Sequence, residues 1–294
     1  MFKSFFLPLL FSLFFLSFQI SAQNSKLEFI ANLPAAIDES SGLAYTPKGL
    51  FTINDGKKGL IYKIDAATGE LLQTLIISNV PVMDIEAMCF DGEFLYIGDF
   101  GNNTGERKDL KVVKIKLASI GGNAIEKVKG EVINFNYSEQ VSFVSDKKSN
   151  QFDCESLIAF KDSLYIFTKR RNDHQTALYA LPKQPGNYQA RFISTFDVKG
   201  RITGAAISSD GKKLLLLGYQ KKHHFPFIWK FEGFSGDNFL NGSSAYVQLT
   251  SVEVNWQTEG ITFVDNNQLY ISSESSKDLS GRLYKIAISD LFRK

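Results

Sequence analysis

One short motif recurs five times along this chain and limits its fold more than any other feature. The last copy is Glu259-Gly260-Ile261-Thr262-Phe263. The others are Ser41-Gly42-Leu43-Ala44-Tyr45, Glu86-Ala87-Met88-Cys89-Phe90, Glu155-Ser156-Leu157-Ile158-Ala159 and Thr203-Gly204-Ala205-Ala206-Ile207. Each opens on an oxygen-bearing side chain, continues with a small residue and an apolar run, and leads through a turn into a second apolar stretch. The copies lie 45 residues (41 to 86), 69 (86 to 155), 48 (155 to 203) and 56 (203 to 259) apart. A period near fifty, with about four strands per repeat, is the signature of a β-propeller blade: one such sheet cannot bury both faces and must stack on its neighbours. The expectation is an all-β propeller of five blades, each of four antiparallel strands. The alternative is six, with a further blade in the 117–152 region.

The strands can be read between turn residues. Blade one is SGLAY, LFTIND, LIYKID and LLQTLIIS, broken at Pro47-Lys48-Gly49, Asp55-Gly56 and Thr68-Gly69. Blade two is IEAMCF, FLYIGDF, LKVVKIKL and VKGEVINFNYS. Blade three is ESLIAF, SLYIFTKR, ALYALPK and ARFISTFDV. Blade four is TGAAIS, KLLLLGYQ, FPFIWKF and SAYVQLTSV. The last copy supplies only the strands 259–264, 268–273 and 282–288. The lone strand KLEFIANL (26–33) is therefore expected as its fourth, closing the ring. Only the tail, 289–293, suggests a short helix. A polar insert, 138–152, explains the longest period.

Met1 to Ala22 reads as a secretory signal, with Lys3 in a positive n-region, an apolar run over 5–18 and a cleavage site at Ser21-Ala22-Gln23. That run, about 14 residues, is short of the roughly 20 that a membrane span needs. The expected organisation is a signal peptide over 1–22 and one propeller domain over 23–294. The mature chain would be secreted, periplasmic or held in the cell envelope, without stable membrane insertion. A net charge of +2 with no basic cluster argues against nucleic acid as a partner. Cys89 and Cys154 fall at different heights along their blades and are expected as two separate buried thiols, not a disulfide. His174, His223 and His224 lack metal-ligand spacing and read as solvated loop residues. No G-x-S-x-G elbow and no phosphate-binding G-x-x-x-x-G-K loop is present.

The oxygen-bearing residues converge on the ring axis. Ser41, Glu86, Glu155, Thr203 and Glu259 begin inner strands. Each second strand is antiparallel to its inner strand and ends beside that start. This brings Asp55, Asp99, Lys169, Arg170, Tyr219 and Glu274 to the same mouth. Two residues before each motif, Glu39, Asp84, Asp153, Arg201 and Gln257 share its parity. Many carboxylates at one mouth cannot all stay ionised without a cation. All-oxygen donors select a hard cation, and a wide ring suits the flexible six- to eight-fold coordination of calcium. The expected ligands of Ca2+ are Ser41, Glu86, Glu155, Thr203 and Glu259. A wet channel lined by polar residues, with no ion, is the bland reading. The loop Asn102-Asn103-Thr104-Gly105-Glu106-Arg107 reads as a solvated connection more readily than as a ligand contact.

These five motifs, in this order, resemble the calcium-activated nucleotidase (apyrase) family, five-bladed propellers with one calcium in the central channel. Glu-Ser-Ser41-Gly-Leu, Ile-Glu86-Ala-Met, Asp-Cys-Glu155-Ser, Ile-Thr203-Gly-Ala and Thr-Glu259-Gly-Ile are similar to its calcium positions. Thr203 departs from a serine there. Ile53-Asn54-Asp55-Gly56 resembles an acidic turn carrying a catalytic aspartate, and Lys169-Arg170-Arg171 a basic phosphate-facing segment. The family's longer nucleotide-contacting loops have no counterpart here. The chain also resembles secreted bacterial propellers of unassigned role and, more loosely, six-bladed calcium-dependent esterases and lactonases.

Two functions follow as expectations. In the first, a monomeric calcium-dependent hydrolase acts on a phosphoanhydride or phosphoester. Asp55 or Asp99 is then the general base, and Arg170 or Arg201 neutralises developing charge. In the second, calcium is structural, and Glu39, Asp84, Asp153, Lys169, Tyr219 and Glu274 hold a small molecule, glycan or peptide at the mouth without turnover.

Overall fold

The computed structural model describes residues 27–220, 225–249, 257–277 and 279–293. The expected signal segment, His223 and His224 lie outside them. Among the described residues the chain is all-β, with three 3-10 turns and one short helix, α1 (Ile288–Leu291). No described helix is long and apolar enough to cross a membrane.

The chain opens with β1 (Glu28–Asn32) and then runs as antiparallel meanders. The first meander is β2 (Ser40–Thr46), β3 (Gly49–Asn54), β4 (Leu60–Ile64) and β5 (Leu71–Ile77). The next holds β6 (Ile85–Phe90), β7 (Phe94–Asp99), β8 (Lys111–Lys116), β9 (Ile125–Val128) and β10 (Glu131–Tyr137). Then come β11 (Cys154–Phe160), β12 (Ser163–Thr168), β13 (Gln175–Pro182) and β14 (Gly186–Asp197), followed by β15 (Arg201–Ile207), β16 (Lys213–Tyr219), β17 (Pro226–Glu232) and β18 (Ser243–Gln248). The last strands are β19 (Thr258–Phe263), β20 (Gln268–Ser273) and β21 (Arg282–Ala287).

The first strands touch in a closed cycle: β2 meets β6, β6 meets β11, β11 meets β15, β15 meets β19, and β19 meets β2. The apolar cores lie between successive meanders. One holds Phe51, Ile61 and Leu75 of the first meander against Met88, Leu95 and Val113 of the second. Another closes the cycle, with Leu43, Leu50 and Tyr62 against Tyr270 and Leu283. Stacking buries both faces of a meander, which is why strands such as β16 (KLLLLGY) are apolar without alternation. The result is a propeller-like arrangement of sheets around an axis.

The N-terminal strand β1 pairs antiparallel with β21 and completes a four-stranded sheet, β1-β21-β20-β19. Two departures from the sequence reading concern the second meander. The segment read as one strand, VKGEVINFNYS, divides at Gly130. Its first residue, Val128, ends β9, a strand the sequence reading did not give, which joins β5 in parallel as a fifth strand of the first sheet; the rest of the segment, β10, pairs with β8. A Cβ at Gly130 would lie 2.2 Å from Val113 Cγ1, so the chain crosses there only without a side chain. The other departure is β14, which begins at Gly186. Its first half pairs in parallel with β10 and fuses two meanders into one eight-stranded sheet.

Cys89 is half-buried, Cys154 is buried, and both thiols are free. Their burial raises both thiol pKa values well above the usual range. His174 sits in a left-handed turn with φ of 58°.

Candidate functional site

Every one of the five motif-opening residues sits at a β-bulge. The register between first and second strands shifts across Ser41, Glu86, Glu155, Thr203 and Glu259. A bulge re-aims one side chain, and bulges are common beside functional sites. All five residues are buried. The glycines that follow Ser41, Thr203 and Glu259 have a packing cause. A Cβ on Gly42 would lie 2.8 Å from Met88 N, and one on Gly204 would lie 2.5 Å from Glu259 O, because the next first strand passes there.

Backbone bonds fix the depth of the mouth. The carbonyls of Glu39, Asp84, Asp153 and Gln257 accept from the N–H groups of Asp55, Gly101, Lys169 and Glu274, at 2.9, 3.1, 2.7 and 3.0 Å. The equivalent site in the second meander is thus occupied by a glycine. Asp99 pairs with Ile85 as Asn54 pairs with Ser40, one residue short of the Asp55 position. Its side chain has the opposite parity and turns into the fold. There it is fully buried, 2.9 Å from both Arg107 and Lys111, and accepts the N–H groups of Met83 and Asp84. Asp99 therefore anchors the 83–84 turn and is already engaged by two cations.

Asp55, Asp84 and Glu86 come together, each with a carboxylate oxygen within 4.8 Å of the others. Gly101 packs on this cluster: a Cβ there would lie 2.4 Å from oxygens of both Asp84 and Glu86. Asp55 is half-buried, and its pKa is pushed up to about 7 by burial, then by Asp84, Glu274 and Glu39. Glu86 is raised well above the usual carboxylate range by burial, then by Glu155 and Asp55. Burial also raises Asp84. Among the described residues, no hydrogen bond or ion pair reaches the Glu86 or Glu259 carboxylate, and the buried Ser41 hydroxyl has no partner. Glu259 is raised by burial, with Glu274 adding to it.

Glu155 differs from the other two acids of the ring. The Lys169 ammonium lies 2.5 Å from its carboxylate, and both side chains are buried. Burial alone would lower the Lys169 pKa, but Glu155 and Glu259 more than offset it and hold the amine protonated. Lys169 also lies 5.7 Å from the centre of the Tyr219 ring. Thr203 donates its hydroxyl to the Thr258 carbonyl at 2.6 Å, so that oxygen is already engaged with the neighbouring first strand.

Several expected site residues have other tasks. Asp153 is fully buried and accepts the Asn102 N–H at 2.9 Å and Arg171 at 3.1 Å. Arg170, expected at the mouth, turns away to pair with Asp173. The neighbouring Arg171 reaches inward, bonding Asn103 and Asp153 and coming within 4.0 Å of Glu155. The sequence reading put Arg170 at the mouth and gave Arg171 only as the end of the basic segment, because strand parity is lost at Lys169, where β12 has ended. Arg201 is half-buried, with its Nε lacking a hydrogen-bond partner. Glu39 is exposed, and half-buried Glu274 accepts a hydrogen bond from Gln257.

The loop 102–107 is not a solvated connection. Asn102 is buried, and Arg107 ties the loop to Asp99, Asp109 and the Gly101 carbonyl. The polar insert lies on it, with Gln140 donating to Gly105 O at 2.7 Å and Asn150 to Asn102 O at 2.5 Å.

No protein-family model matches the chain, and no curated protein matches it. Among solved structures it is similar to the glutaminyl cyclase of Myxococcus xanthus, at 10% identity over 88% of this chain and 95% of that one, with a TM-score of 0.53. A putative 6-phosphogluconolactonase from Bacteroides uniformis aligns at 11% identity over 90% of this chain and 68% of that one, with a TM-score of 0.39. The likeness to the cyclase is one of fold, and the shared fold is propeller-like.

Proposed function

We propose that the chain is a five-bladed propeller with a hard divalent cation, calcium, at the head of its channel. We further propose that it acts there as a calcium-dependent hydrolase of a phosphoanhydride or phosphoester. The blade count rests on the cycle of five first strands. The observation that carries the rest is the convergence of Asp55, Asp84 and Glu86. The donors fit such an ion: three carboxylates without His or Cys, beside a buried serine hydroxyl that has no other partner. Bound there, calcium would supply polarisation of a phosphoryl oxygen and a lowered pKa for a coordinated water. Asp55, Asp84 and Glu86 hold the cation on this reading, which keeps Glu86 of the five ligands expected from the repeat and sets Asp55 and Asp84 in place of Glu155, Thr203 and Glu259. Lys169 keeps a positive charge beside them for an anionic substrate. Glu274, raised by burial and half-exposed at the mouth, accepts the proton of the attacking water.

One observation favours a second reading, in which calcium is structural and the mouth only binds a ligand. Asp99, Arg170 and Arg171 are already engaged in ion pairs within the chain. That leaves fewer free groups for a reaction. The test is a panel of nucleotides, phosphoesters, esters and lactones, assayed on the mature chain with calcium and with chelator. Calcium-dependent turnover of a phosphate substrate supports hydrolysis. Calcium binding with no turnover of any class selects the second reading.

A further inference from the structure

The first strands leave the carboxylate mouth and run to the opposite end of the channel, where a cavity of about 1040 Å³ opens. All five reach it: Leu43, Met88, Ile158, Ala205 and Ile261 form its inner wall. Tyr45, Phe90, Phe160 and Phe263 stand around its outer part, Tyr45 exposed and the other three half-buried. Its wall begins at Met88, two residues beyond Glu86, and runs to Phe90, about 13 Å along the strand from Glu86. None of Asp55, Asp84 and Glu86 lines it, so the cavity is a separate place from the carboxylate cluster.

Its charged wall groups already have partners within the chain. Asp91 accepts the N–H groups of Glu93 and Phe94 and the Tyr96 hydroxyl, and it pairs with Lys183 at 2.9 Å. Asp210 accepts from the Ser208 hydroxyl and the Lys212 N–H. Asp265 accepts the N–H groups of Asn267 and Gln268, both at 2.7 Å. Lys48 donates to the Ile120 carbonyl, and exposed Lys161 lies over the Phe160 ring at 5.2 Å from its centre. An ionic ligand would have to displace these contacts. An uncharged one covers the aromatic rings and leaves the charges as they are, which is the cheaper desolvation. The volume is at the upper end of the range for small-molecule pockets, roughly 300–1,000 Å³.

We propose that this far-end cavity is a second binding site, independent of the carboxylate mouth, for an uncharged small molecule with an aromatic face to lie on the rings and polar groups to meet Thr46, Ser208 and Thr262. The probe is N-phenyl-1-naphthylamine, a neutral dye that fluoresces in apolar surroundings, titrated into the full mature chain. The expected result is one saturable site per chain, with affinity unchanged by chelator. The anionic dye 8-anilinonaphthalene-1-sulfonate should bind about ten-fold more weakly or worse. Ala159→Trp fills the wall and Ser209→Trp crowds the rim, and each should lower neutral-dye affinity by at least about ten-fold. Ser209 is exposed, so its variant reports even if Ala159→Trp does not fold. The proposal is overturned by a wild-type titration that does not saturate, by anionic-dye binding as tight as neutral, or by undiminished binding in the folded tryptophan variants.

Discussion

The Lys169 ammonium and the Glu155 carboxylate form an ion pair of 2.5 Å inside the channel, both side chains almost fully shielded from solvent. The protein thus carries a cation of its own within the acidic ring, and this divides the ring. Glu155 is neutralised from within, while among the described residues no such partner meets Glu86.

Breaking that pair from one side should be costly. Lys169→Met leaves the buried Glu155 with only Arg171, 4.0 Å away, and the expected loss is up to about 3 kcal/mol of unfolding free energy. The double variant Lys169→Met, Glu155→Gln removes both charges and should recover most of the loss. Urea unfolding of the two variants and wild type measures both. A double variant no more stable than the single one would show that the pair is not the cause.

Calcium should raise the melting temperature of the mature chain. At one hundred times its dissociation constant, a ligand specific to the folded state adds about 2.7 kcal/mol. Glu86→Gln should abolish the shift. Gly101→Ala should weaken it too, since its methyl group would meet the Asp84 and Glu86 oxygens at 2.4 Å. Identical melting curves in calcium and in chelator would remove the cation from the account.

The raised Asp55 pKa predicts a pH dependence in chelator. Its value in the fold is about 7 against an ordinary 3.8, so protonation favours the folded state. That contribution is fully present below about pH 4 and is lost as pH rises through about 7. The metal-free chain should therefore melt lower at pH 8 than at pH 5. Asp55→Asn should flatten this trend, and saturating calcium should reverse it by favouring the ionised carboxylate. Melting curves from pH 5 to 8, with and without chelator, decide the point.

Removal of residues 26–33 should destabilise the whole ring, because β1 is the edge strand that covers β21. The first and last sheets also share Leu33 in one core. A truncated chain with an unchanged melting temperature would mean that closure depends on the first-strand contacts alone.

The repeat by itself determined the all-β class, the meander order and the closing role of the N-terminal strand. These depend on local apolar runs, on turn residues and on a count of strands per copy, all of which are written linearly. It also brought Glu86, Asp55 and Asp84 to one mouth, since strand parity and antiparallel return are enough for that. Tertiary structure decided the rest. Asp99 and Asp55 look equivalent as acids ending second strands, but one residue of register turns Asp99 inward onto Arg107 and Lys111. Arg171 replaces Arg170 at the ring because orientation beyond a strand end follows from contacts, not from alternation. The crossing at Gly130 and the parallel pairing of β10 with β14 join segments about fifty residues apart. That Lys169 neutralises Glu155, an acid of its own meander, rather than Glu259 of the last sheet, is decided by side-chain placement beyond the strand end, which no local run of residues encodes.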